Sequence, residues 1–389
     1  MDEDSQSVCA ELSQRLVERV LAPIKGGFVG KDNIVDLMGV CLVGGEHLFL
    51  YGPPGTAKSA LVQELGRRLH GRVFDYLLTR FTEPNELFGP FDIRKLREGE
   101  LVTNTEGMLP EASLVFLDEL LNANSAILNS LLMTLNERVF RRGRETRPLP
   151  MLMAVGASNH LPEEDALRAL FDRFLVRVRC DNVAEEQLAD VLHAGWRLED
   201  RHRNDSEGMS VDEIRELQRL VRSVDVEGVH PTYVELIHRL RHAGIEVSDR
   251  RAVKFQRLIA ASAILCGRMR AEASDLWVLR HTWDTAEQEE IIRTLVQQVI
   301  DAATTSETGP HHPQSRGDSR PDAEALARDL ERIGERLNEG EALSDADRRY
   351  LRDRLSLLSS RCEWVTEEMQ RTQLQQLTAS LWAKLGDDK

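Results

Sequence analysis

A chain of 389 residues, 41% hydrophobic and 30% charged, has the balance of a globular protein large enough for two or three domains with their own cores. No stretch approaches the roughly 18–20 apolar residues that cross a bilayer. The formal charge of −15, from 50 Lys and Arg against 65 Asp and Glu, repels phosphate backbones and argues against a nucleic-acid partner, although Arg141, Arg142, Arg144 and Arg147 form a local basic cluster. Cys9, Cys41, Cys180, Cys266 and Cys362 are scattered without a Cys-x-x-Cys pair, which predicts reduced thiols and neither a disulfide frame nor a zinc site. The start, Met1-Asp2-Glu3-Asp4, lacks the basic-then-apolar layout of a secretion signal. Together these features predict a cytoplasmic protein.

Residues 1–182 alternate short apolar runs with helical patterns, which predicts an α/β layer with a mostly parallel, buried sheet. Candidate strands cover 47–51, 73–77, 114–117, 151–155 and 174–178. Behind the first, Leu61, Val62, Leu65 and Leu69 fall on one face of a helix. Residues 183–300 read as a separate helical subdomain, with helices over 185–194, 211–221, 231–242, 249–268 and 285–300. Ser210 and Glu213 suit a capping box, Pro231 a first helical position, and Gly244 a helix end. The polar, Gly- and Pro-rich stretch 301–321 predicts a flexible linker in which His311 and His312 are solvated. In 322–389, Leu326, Leu330, Ile333 and Leu337, then Leu374, Leu377, Leu381 and Leu385, predict two or three packed antiparallel helices.

The strongest chemical signal is Gly52-Pro53-Pro54-Gly55-Thr56-Ala57-Lys58-Ser59-Ala60, between an apolar strand and an amphipathic helix. Glycines let backbone N–H groups wrap a phosphate chain, and the helix N-terminus adds about half a positive charge. This predicts ATP with Mg2+, Lys58 on the β and γ phosphates and the Ser59 hydroxyl on the metal. Ala57 stands where the pattern expects glycine; because the position leads into a helix, a methyl group is expected to be tolerated. Downstream, Leu114-Val115-Phe116-Leu117 delivers Asp118 and Glu119 at a strand tip, where α/β sheets bind ligands. Asp118 is the candidate metal ligand and Glu119 the base for an attacking water. A further strand ends in Gly156-Ala157-Ser158-Asn159, and Asn159 is the candidate for positioning that water between the first two tips.

Gly52–Ser59, Leu117-Asp118-Glu119-Leu120, Asn124–Asn129, Asn136-Glu137-Arg138 and Gly156–Asn159 together resemble the MoxR family of AAA+ ATPases, within it the RavA-like branch. The likeness covers roughly residues 10–300. It implies a sheet of order 5-1-4-3-2, a helical lid, hexameric rings, remodelling or activation of a client protein, and a partner carrying a von Willebrand factor A domain. It also implies that Arg173 is an arginine finger reaching a neighbouring subunit's ATP. Arg250 matches a lid arginine that contacts phosphate, with Arg251 beside it as the other candidate, and Phe28, Val29 and Gly30 flank the adenine. Segments 91–103 and 139–149 resemble family hairpins that face the ring pore; as sequences they fit plain surface hairpins equally. Two other functions share this architecture: an ATP-gated scaffold with negligible turnover, and a DNA-acting motor. No Asn-Lys-x-Asp sequence occurs, which disfavours a guanine-nucleotide enzyme.

Overall fold

In a computed structural model, the described residues are 3–142, 145–162, 164–201, 208–303, 310–316, 323–338, 348, 351–352, 355, 358–359, 362, 365 and 368–386. The chain divides into two compact units, Met1–His312 and Pro313–Lys389. The first opens with α1 (Glu3–Leu16), α2 (Ala22–Gly27) and α3 (Asp32–Gly44), followed by β1 (Leu48–Tyr51), α4 (Lys58–Arg68) and β2 (Val73–Leu77). Two short helices, α5 (Pro84–Phe88) and α6 (Ile93–Arg97), lead to β3 (Leu114–Asp118) and α7 (Ser125–Glu137). Strands β4 (Val139–Arg142) and β5 (Glu145–Pro148) pair as an antiparallel hairpin. Then come β6 (Met153–Ser158), α8 (Asp165–Phe171) and β7 (Val176–Arg179).

The main sheet has the order β2-β3-β6-β1-β7, and all its pairs are parallel. Leaving the hairpin aside, this is the expected 5-1-4-3-2 order read from the other edge. Side chains alternate between faces, as strand geometry requires. Leu48, Leu50, Leu114 and Phe116 enter one core with α3 and α4, while Phe49, Val115 and Leu117 enter another with α7 and α8. Strands β6 and β7 each begin later than their apolar runs. Leu152 donates to the Ser113 carbonyl at 2.8 Å, and Phe174 still closes the turn after α8 by donating to Phe171 at 3.0 Å.

Beyond the sheet the described elements are helical: α9 (Leu188–Arg201), α10 (Val211–Leu220), α11 (His230–His242), α12 (Asp249–Leu265), a 3-10 segment Ala273–His281, and α13 (Ala286–Ala303). The Ser210–Glu213 capping box forms in both directions, and Pro231 sits in the first turn of α11. Gly244, at φ +80°, follows the end of α11. Helices α10 to α13 share one continuous core with α1 and α3.

The solvated-linker expectation needs correction where the segment is described. His312 is only 6% exposed, and its ring stacks on Trp277 at 4.5 Å between centroids. Arg268 donates to the Pro310 carbonyl at 2.9 Å. Stacking on a buried indole outweighs the polarity of the surrounding sequence. Residues 304–309 and 317–321 lie outside the described set.

In the second unit, α14 (Ala323–Asn338) and α15 (Glu368–Gly386) pack through Leu326, Leu330, Ile333, Leu374, Leu381 and Leu385. These are positions of the leucine periodicity. Leu337 and Leu377 pack at the margin of the same core.

Candidate functional site

The loop after β1 is fixed by close backbone approach. Gly52 donates to the Ser158 carbonyl at 3.0 Å, and Cys180 donates to the Tyr51 carbonyl at 2.8 Å. A Cβ on Gly52 would stand 2.3 Å from the Cys180 oxygen, so no other residue fits there. Pro53, Pro54 and Gly55 are exposed, and nothing lies within 4 Å of a Cβ built on Gly55. Thr56 anchors the loop, its hydroxyl donating to the Pro53 carbonyl at 3.0 Å.

Ala57 corrects the sequence reading. It caps α4 at φ 66°, ψ 21°, in the left-handed region and not in the helical one. A Cβ there costs about 1–2 kcal/mol. Against the extra unfolded-chain entropy of glycine, Ala57→Gly is expected to raise the unfolding free energy by about 0.5–1 kcal/mol, measured by urea denaturation. A fall in stability would show that the methyl group packs favourably.

Lys58 opens α4 and is 6% exposed. Its ammonium donates to the carbonyls of Gly52 and Pro53, each at 2.8 Å. Among the described residues no carboxylate pairs with it. Ser59 and Ala60 are exposed in the same first turn, which has neither a side-chain cap nor an acidic residue. A buried cation without a counter-charge, next to uncapped helix N–H groups and an open glycine loop, is built to receive an anion.

Strand β3 ends in Asp118, followed by Glu119, both half-buried. Glu119 also adopts a left-handed backbone, φ 50° and ψ 43°, and its N–H donates to Asp118 Oδ1 at 3.0 Å. A non-glycine residue held so turns the chain sharply off the strand tip, the kind of strain that concentrates at functional sites. Strand β6 separates β3 from β1, with Leu50 opposite Ala157 and Leu117 opposite Gly156. Two strand spacings therefore place the loop and the acid pair about 10 Å apart, with Asn159 exposed just past the tip between them. His160 was missed in the sequence. Its Nδ1 lies 3.0 Å from the Ser158 hydroxyl, beside Asn159.

Phe28 and Val29 are buried, and Gly30, at φ +70°, follows them. Phe28 lines a cavity of about 600 Å³ that runs along α4 from Ala60 past Gln63, Glu64 and Arg67 to Gly71 and Val73 at the start of β2.

Arg173 and Arg250 are not brought to this loop. Arg173 precedes β7, whose Val176 lies opposite Leu48 at the start of β1. Arg250 donates to Asn136 Oδ1 at 3.3 Å, near the end of α7. Both belong to the amino edge of the sheet, roughly a strand length, about 13 Å, from the carboxyl-edge tips. Of the two lid candidates, Arg251 is buried, bonded to Asp284 at 2.6 Å and to the Thr282 carbonyl at 2.8 Å, whereas Arg250 is exposed. Burial pushes the Arg173 pKa down, Asp172 opposes this, and Arg250 adds to it.

The basic cluster is largely occupied within the chain. Arg142 donates to the Gly89 carbonyl at 2.5 Å and lies 4.2 Å over the Phe91 ring. Arg147 donates to Thr105, and Arg141 pairs with Glu137 at 2.8 Å. Gly143 and Arg144 lie outside the described residues. The 91–103 segment is closed by a single antiparallel bridge, Phe91 to Thr103, and contains α6 where a hairpin was expected.

A model of the "MoxR domain in the MoxR-vWA-beta-propeller ternary systems" matches residues 14–219, more than half of the chain, and an AAA lid domain matches 232–296. An uncharacterized protein of Methanocaldococcus jannaschii is 33% identical over 305 residues, 76% of this chain and 79% of the relative. The protein named chaperone MoxR1 of Mycobacterium tuberculosis is 27% identical over 181 residues, 46% of this chain and 47% of its own. A crystal structure of a candidate ATPase from Cytophaga hutchinsonii shares the fold, with a TM-score of 0.61 at 18% identity, covering 77% of this chain and 97% of that one. The MoxR model spans more than half of the chain and the lid model follows it: the chain belongs to the MoxR family of AAA+ ATPases.

Proposed function

We propose that this chain binds ATP with Mg2+ and hydrolyses it within a ring of identical subunits, a hexamer, to remodel or activate a client protein. The observation that carries this reading is the buried Lys58 ammonium with two carbonyl partners and no carboxylate among the described residues. Ser59 and Asp118 are the residues to hold the metal, which when bound neutralises phosphate charge. Lys58 and the first-turn N–H groups of α4 orient the triphosphate, Glu119 takes the proton of the attacking water, and Asn159 orients that water. Phe28, Val29 and Gly30 flank the base. Since the chain's own Arg173 and Arg250 lie at the far edge, charge that builds on the γ-phosphate is met by arginines of the next subunit.

The matched family model is described for systems containing von Willebrand factor A domains, and a protein with such a domain is the partner we propose. The proposed compartment is the cytoplasm. No helix among the described residues is long and apolar enough to cross a membrane. Lys58→Ala is expected to weaken Mg-ATP binding at least a hundredfold in titration calorimetry, with the fold kept by circular dichroism. Unchanged affinity would remove the loop from the site.

A further inference from the structure

At the amino edge of the sheet, the residues around Arg173 form a closed chain of charges. Arg173 Nη1 lies 3.2 Å from Asp172 Oδ2, and Asp172 Oδ1 faces Arg251 Nε at 3.8 Å. Arg251 Nη1 pairs with Asp284 Oδ2 at 2.6 Å, and Asp284 Oδ1 pairs with Arg177 Nη1 at 2.8 Å. Arg177 Nη2 then donates to the Phe171 carbonyl at 3.2 Å, which returns the chain to the residue before Asp172. Arg251 stands in the first turn of α12, and Asp284 just before α13. The segment carrying Arg173 is therefore tied to the lid of its own subunit.

We propose that Asp172 is a positioning residue for Arg173, and that Arg251 and Asp284 transmit the position of a subunit's lid to the arginine it offers its neighbour. This rests on the reading of Arg173 as a finger acting in trans. The links differ in stiffness. The Arg251–Asp284–Arg177 part is tight, with the Arg177 side chain 0% exposed, that of Arg251 8% and that of Asp284 32%, and burial brings the Arg177 pKa down to about 10. Asp172, by contrast, meets Arg251 beyond hydrogen-bond range with its side chain 41% exposed. A small displacement of α12 changes that soft contact first. Arg173 feels the change because Asp172 is the counter-charge that holds it against the repulsion of Arg250. A long, rotamer-rich side chain needs such a hold to be aimed without a large entropy cost. In this group Arg173, Arg177 and Arg251 share Asp172 and Asp284, which leaves positive charge for an anion brought from outside the chain.

The test uses mixed assemblies of full-length chains. Acceptors carry Arg173→Ala, and donors carry Glu119→Gln with their own Arg173 intact. The donors are expected to restore ATP turnover. Adding Asp172→Asn or Asp284→Ala to the donor is expected to lower the restored kcat by about tenfold to a hundredfold. The acceptor KM and the donor's own ATP affinity are expected to stay unchanged, as is the melting temperature of the Asp172→Asn donor, whereas Asp284→Ala, which strips the buried Arg177 of its carboxylate, is expected to lower that of its donor. Asp172→Glu, which keeps the charge, is expected to recover part of the loss, whereas the isosteric Asn would satisfy a merely structural role. Equal restoration by substituted and unsubstituted donors overturns the relay while leaving the finger in place. No restoration even by the Glu119→Gln donor removes the finger reading, and the relay with it. Should Asp284→Ala not fold, Asp172→Asn at its half-exposed position carries the comparison alone.

Discussion

Arg173→Ala assemblies are expected to bind Mg-ATP normally and to lose turnover by about 10³–10⁵, or roughly 4–7 kcal/mol of transition-state stabilisation. The expectation follows from placement. Arg173 and Arg250 lie at the sheet's amino edge beside Asn136 and the start of β7, whereas the proposed phosphate site lies at the carboxyl edge. An arginine so far from its own loop can assist hydrolysis only in another subunit's site. Single-turnover measurements across protein concentration check this. The wild-type rate should climb as subunits assemble, and the variant's should stay flat. A dilute, monomeric wild type that is as active as the assembled form would show that no neighbour is needed.

The second large effect is at Glu119. Glu119→Gln is expected to keep nucleotide affinity within a few-fold and to lower kcat by about 10²–10⁴, the range supplied by a positioned general base. The backbone gives the reason for this residue and not Asp118. Asp118 ends the strand and accepts the Glu119 N–H, while the left-handed turn at Glu119 swings the next side chain off the strand line. Rapid-quench measurement of ATP cleavage separates chemistry from product release. An unaltered cleavage step would pass the role to another group, and His160, exposed beside Asn159 past the tip of β6, is the candidate.

Much of this was legible before any coordinates. Strands buried on both faces leave long apolar runs, so β1 and β3 could be read directly and β6 two residues early, whereas the Cys180 contact that demands glycine at position 52 could not. The capping box at Ser210 and Glu213 is a local code that survives folding. What could not be read depended on distant partners. Ala57 looked helical because its neighbours are helical, but the loop forces a positive φ on it. His312 looked solvated because its flanking residues are polar, but Trp277, far earlier in the chain, supplies the face on which it stacks. Arg250 and Arg251 are indistinguishable as adjacent letters. They separate once Asp284 and Thr282 are seen to bury one of them. Asp172 carries no motif signal at all, since its role comes from a lid residue folded against it.

The most direct test is a crystal structure of the assembled chain with Mg2+ and a non-hydrolysable ATP analogue. The Lys58 ammonium should leave the Gly52 and Pro53 carbonyls for the terminal phosphates, Ser59 and Asp118 should surround the metal, and a neighbouring subunit's Arg173 should approach the γ position. A nucleotide bound elsewhere, or Lys58 still on its own loop carbonyls with the ligand present, would contradict the account.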